Sequence, residues 1–95
     1  MELIKPQKGI LTKRQIEILK IMYDNKNTDD GEIIYEKGIG YLRLDRIAPR
    51  TIFALLRLCC ISEDQYGGGI EHYHINETGE DFIKIEGIIN GVNNG

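Results

Sequence analysis

One stretch constrains the fold more than any other: Ile70-Glu71-His72-Tyr73-His74-Ile75-Asn76-Glu77-Thr78-Gly79-Glu80-Asp81-Phe82-Ile83. Ile70, His72 and His74 alternate with Glu71, Tyr73 and Ile75, the two-residue period of a strand. Asn76 then offers a side-chain oxygen to the open amides of a helix start, and Phe82 and Ile83 follow at helical spacing. Upstream, Cys60-Ile61-Ser62-Glu63 reads as a partner strand, joined to the first through a loop over 64–69 with Gly67-Gly68-Gly69 at its tip. The pair is expected to be an antiparallel hairpin, and the closing helix to span about 76–86.

Two further helices are marked by their starts. Thr12-Lys13-Arg14-Gln15 has the spacing of a capping box, with Thr12 as cap and Gln15 three residues on. The helix it opens runs to about Asp24, with Ile16, Leu19 and Tyr23 on one stripe and Ile18, Ile21 and Met22 widening it. Ala48-Pro49-Arg50-Thr51 opens another helix through Leu58, because proline at the first helical position forfeits no amide bond. Ile52, Leu55, Leu56 and Cys59 share one face; Arg50, Ala54 and Arg57 share a second, flanked by Phe53 and Leu58. That helix reads as apolar around much of its circumference.

Between the two lies a polar loop, Asn25 to Gly31, and then residues 32–47, which admit two readings. They form two short strands around a Gly38–Gly40 turn, or helical turns near Ile33–Lys37 and Tyr41–Arg46. Residues 1–10, broken at Pro6, form a lead-in, 11–86 one domain, and 87–95 a frayed tail.

Ninety-five residues make a single domain with one modest core, and 41% apolar residues suffice to build it. No run of eighteen apolar residues offers a membrane span, and the N-terminus lacks the apolar centre of a signal peptide, so a cytoplasmic protein is expected. Cys59 and Cys60 are neighbours, which strains any bridge between them, and they read as a pair of small core residues in a reducing compartment. The net charge is −3, yet it is unevenly spread. Residues 41–60 hold Arg43, Arg46, Arg50 and Arg57 against Asp45 alone, whereas residues 61–95 hold seven acids against Lys84. Local charge is what meets phosphates.

In order and spacing, three segments resemble bacterial and phage winged helix-turn-helix DNA-binding proteins. LTKRQIEILKIMYD looks like their first helix, and APRTIFALLRLCCI like a recognition helix running into the first wing strand. YHINETGEDFI is similar to a wing-to-helix ending in which an aromatic precedes a Thr/Asn-Glu-x-Gly turn and an apolar pair. Together they cover about forty of the 95 residues. The resemblance implies an α+β winged helix-turn-helix fold, with a three-helix core and a two- or three-stranded β-wing, and sequence-specific binding of double-stranded DNA by a small transcriptional regulator. Two departures stand out: residues 32–47 show no evident second helix, and the wing tip has no arginine or lysine.

On that basis Arg50, Thr51 and Arg57 face the major groove, where arginine grips guanine in bidentate fashion. Arg43 and Arg46 anchor phosphates, and Lys13 and Arg14 add contacts at a helix start. His72 and His74 share a strand face and would need further ligands, from Glu63 or Asp64, to hold a metal; no metal or cofactor is expected. No serine, histidine and aspartate fall in a nucleophile's order, so no enzymatic activity is expected. Phe53, Leu58, Ile88 and Ile89 exceed what a small core absorbs and point to a homodimer. The rival readings are a module that docks another protein and a phage or plasmid replication accessory.

Overall fold

The computed structural model describes residues 6–64 and 68–87. Three α-helices form where their caps stand: α1 over Lys13–Asp24, α2 over Pro49–Arg57 and α3 over Glu77–Ile85. At α1 the capping box is made in full, with Thr12 Oγ1 accepting from the Gln15 amide and Gln15 Oε1 from the Thr12 amide. At α3, Asn76 Oδ1 accepts from the Gly79 amide at 2.9 Å. Five strands complete the chain: β1 Ile33–Glu36, β2 Ile39–Leu42, β3 Asp45–Ile47, β4 Ile61–Asp64 and β5 Ile70–Ile75. They make one antiparallel sheet in the order β3-β2-β1-β5-β4.

This architecture overturns the winged-helix expectation. A three-helix core with a two- or three-stranded wing needs a helix in residues 32–47, and three of the five strands lie there instead. The cause is local. Lys37 and Gly38 both take left-handed backbone conformations, φ 53° and 81°, between the paired residues Glu36 and Ile39. Two left-handed residues in a two-residue loop make the hairpin turn whose twist matches that of the strands. Arg43, at φ 60°, opens a second two-residue turn between Leu42 and Asp45. Gly40 belongs to a strand, and glycine is favoured there for another reason. A Cβ there would lie 2.5 Å from Ile52 Cδ1 and 3.0 Å from the Ile47 carbonyl oxygen.

Strand register sorts the side chains into two faces, because directly paired residues point the same way. Ile33, Leu42, Ile47, Ile61, Tyr73 and Ile75 share one face and are all buried. They meet Ile18, Leu19 and Met22 of α1, Ile52 and Leu55 of α2, and Phe82 and Ile83 of α3. All three helices therefore lie on that side, and α2 carries the chain from the edge strand β3 to the opposite edge strand β4. The helix is amphipathic rather than apolar all round: Ile52 and Leu55 are fully buried, while Arg50, Phe53 and Arg57 are exposed.

The cysteine pair divides at the end of α2. Cys60 donates its amide to the Leu55 carbonyl and Cys59 to the Leu56 carbonyl, each at 2.9 Å, with Cys59 at φ 61°. This is the Schellman ending, in which the left-handed residue stays outside and the next one turns inward against the helix. Cys59 is accordingly exposed and Cys60 buried, so only one of the two serves the core. Burial, and then the charge of Cys59, pushes the Cys60 thiol from 9.0 up to about 12. The unfolded chain releases that proton near pH 9 and the folded chain holds it, so the stabilisation is complete below pH 9 and drains away as pH rises toward 12. Stability is expected to fall by about 1.4 kcal/mol per pH unit over this range from Cys60 alone. Urea unfolding between pH 9 and 10 checks it: Cys60→Ala is expected to flatten the slope, and an unchanged slope would assign the alkaline loss elsewhere.

Candidate nucleic-acid interface

The cationic residues gather about the short edge strand β3. Arg43 stands in the turn before it, Arg46 within it and Arg50 three residues beyond it, in the first turn of α2. Lys13 and Arg14 are the first two residues of α1, and Arg14 reaches the same place. Arg14 Nη2 donates to the Arg46 backbone carbonyl at 3.5 Å, while its Nη1 lies 3.5 Å from Glu17 Oε1. That contact joins segments 32 residues apart. A guanidinium laid on the rim of an edge strand also discourages further strand addition there.

The five do not form a flat ridge along α2. The pairing of Arg46 with Tyr41 puts its side chain on the face away from the core, whereas Arg50 lies on the helix side. The cations wrap the β3 edge. Arg57, the last residue of α2, lies about 10 Å along the helix from Arg50 and on nearly the same face, but toward β4. Thr51 is half-buried, with its amide bonded to the Ala48 carbonyl, and is the least accessible of the expected contacts.

Lys13, Arg43, Arg46, Arg50 and Arg57 are exposed and make no ion pair among the described residues. Elsewhere, Lys20 sits 2.6 Å from Asp24 and Lys26 3.3 Å from Glu80. Asp45 is the one acid within the β3 segment, and it is exposed. Phe53 stands between Arg50 and Arg57 on the outward side of α2, 44% exposed and edge-on to Tyr35 at 5.7 Å.

The histidines separate rather than converge. His72 Nδ1 lies 3.0 Å from Glu32 Oε1, and His74 Nδ1 lies 2.9 Å from Asp64 Oδ1. No group of three or more histidine, cysteine, aspartate or glutamate side chains gathers to hold a metal among the described residues. No helix among them is long and apolar enough to cross a membrane. Of the surplus apolar residues, Leu58 packs against the core and Phe53 stays half-exposed, while Ile88 and Ile89 lie outside the described residues, as do Gly67 of the β4–β5 loop and most of the expected tail.

Sequence reading missed Leu44 and Tyr41. Leu44 sits at the tip of the β2–β3 hairpin, 97% exposed beside Arg43, and Tyr41 is 44% exposed. The signal was the alternation of Ile33 and Leu42 with Ile34 and Tyr41, legible once residues 32–47 are taken as strands. Against models of protein families, curated proteins and solved structures, the chain finds no match.

Proposed function

We propose that this chain binds double-stranded DNA through the cationic edge formed by β3 and the N-termini of α1 and α2. The observation that carries this is the gathering of Arg14, Arg43, Arg46 and Arg50 about the β3 edge, with Lys13 next to Arg14 in the chain, and of these only Arg14 has a carboxylate partner among the described residues. Cations held together and left unneutralised release counterions from a duplex, which favours binding even when the whole chain is negative. The outward side of α2 then lies toward the groove, with Arg50 nearest the cationic edge and Arg57 a further phosphate contact. A protein of this kind with a base-reading arginine would act as a small regulator of transcription.

Binding to a random duplex, followed as salt is raised, tests the proposal. About four to five phosphate contacts correspond to a log–log slope near −4. Arg43→Ala and Arg50→Ala are each expected to reduce its magnitude by about 1. Absence of binding at about 50 mM salt, or a slope that neither substitution moves, would remove the proposal. A protein-docking role is favoured by a different observation, the fully exposed Leu44 and half-exposed Phe53. That role predicts no salt-dependent affinity for duplex.

A further inference from the structure

The β2–β3 hairpin ends in Arg43-Leu44, and neither residue suits the turn or the core. Arg43 holds φ 60°, a left-handed conformation that favours glycine or asparagine. Leu44 is 97% exposed, whereas the next most exposed large apolar side chains among the described residues, Tyr41 and Phe53, stand at 44%. An arginine strains the turn and the leucine packs on nothing within the chain. A tip built against local preference on both counts is the kind of place where function overrides stability.

Charge says what such a tip meets. Arg43 adjoins Leu44 and Arg46 lies two residues beyond it; both are exposed, and neither forms an ion pair among the described residues. Asp45 is the only acid from Ile39 to Ile47. It pairs with Leu42 and so points to the helix side of the sheet, whereas Arg46 pairs with Tyr41 and points to the other. From the tip, β3 runs about 10 Å along the cationic edge toward Arg50 in the first turn of α2. A protein-docking patch would centre on several apolar residues with few charges among them, but this leucine stands between an arginine and an aspartate. An unpaired cationic flank suits a polyanion.

We infer that Leu44 is a wedge: the hairpin tip enters the minor groove of a duplex and inserts the leucine between two base pairs, kinking the DNA. Arg43, beside it, is drawn by the negative potential of that groove. The inference rests on the DNA-binding reading above and names the ligand that reading would prefer, a duplex whose stacking is already weak at one step. Insertion costs the unstacking of that step, and the cost is lowest at a mismatch or a flexible pyrimidine–purine step. The tip is ordered beforehand, because the pairing of Leu42 with Asp45 and of Tyr41 with Arg46 closes the loop to two residues. Little freedom is therefore lost on insertion.

Two duplexes of one sequence, one intact and one with a single central mismatch, test it. Each carries a donor and an acceptor fluorophore at its ends, so that affinity and bending are read together. The wild-type chain is expected to bring the end labels closer on binding and to bind the mismatched duplex about tenfold more tightly. Leu44→Ala changes a fully exposed side chain, so the fold is expected to be kept, as circular dichroism checks. It is expected to bind both duplexes alike and to leave the end labels apart, while the salt slope stays that of the wild type, because the arginines remain. Leu44→Met, which restores an apolar side chain of similar length, is expected to restore both the preference and the bend. A wild-type chain that binds both duplexes equally, or a Leu44→Ala chain that still bends the DNA, would overturn the wedge and leave the cationic edge standing. Failure to bind either duplex at about 50 mM salt would overturn both.

Discussion

Gly79→Ala is expected to lower the unfolding free energy by about 3 kcal/mol or more, against a total of about 5–14 kcal/mol for a chain of this length. Helix propensity alone predicts the opposite sign, since alanine in a helix is favoured over glycine by about 1 kcal/mol. Packing decides it. A Cβ on Gly79 would stand 2.3 Å from the Cys60 carbonyl oxygen and 2.8 Å from Ile75 Cγ1. The carbonyl is backbone and cannot turn aside, because the Asn76 amide already donates to it at 3.1 Å. The first turn of α3 thus rests directly on the start of β4, and relief requires the two to part. Urea unfolding of the variant checks this, with helix content followed by circular dichroism. A variant as stable as the wild type would show that the contact between α3 and β4 yields easily.

The same glycine shows what could be read in advance. Asn76-Glu77-Thr78-Gly79 marked a helix start because the Asn76 side chain answers open amides locally, and Thr12 with Gln15 did so at α1. Caps and periodicity are short-range, so all three helices and the β4–β5 hairpin were legible. Residues 32–47 were legible only as alternatives, because their second turn carries Arg43 and Leu44, where hairpins of that length favour glycine or asparagine. Gly40 misled for the opposite reason: it resembles turn chemistry, yet its role is to admit Ile52 of a later helix. The sheet order was beyond local signals, since β1 joins β5 through pairings such as Ile33 with Tyr73.

The candidate interface divides along the same line. The arginines of residues 43–57 were visible as a charge cluster, and α2 does expose Arg50 and Arg57. The cationic edge depends on α1 delivering Arg14 to β3, a tertiary event with no trace in spacing. The outward face of the sheet was hidden behind the open choice in residues 32–47. Until Ile34 and Tyr41 are known to be paired strand residues, their exposure has no shape.

Phe82→Ala carries the other large effect, an expected loss of about 3–5 kcal/mol, with Phe82→Leu losing far less. Phe82 is fully buried and among the largest such side chains in the chain. It lies in α3, which packs against both α1 and β5, so its ring fills the space where two helices meet the sheet. Removing it forfeits the transfer energy of a whole aromatic ring and leaves a void in a close-packed core, which closes only as neighbouring elements shift. One of the two helices is α1, whose N-terminus carries Lys13 and Arg14, so a closure that shifts it displaces them. Two readouts follow from one substitution. Thermal or urea unfolding is expected to show the loss of stability, and binding to a random duplex is expected to weaken even where the variant is still mostly folded. Phe82→Leu, which keeps most of the volume, is expected to preserve both. A Phe82→Ala chain that loses stability yet binds duplex with an unchanged salt slope would show that the packing of α1 against α3 does not place Lys13 and Arg14, and would confine the DNA-binding edge to β3 and α2.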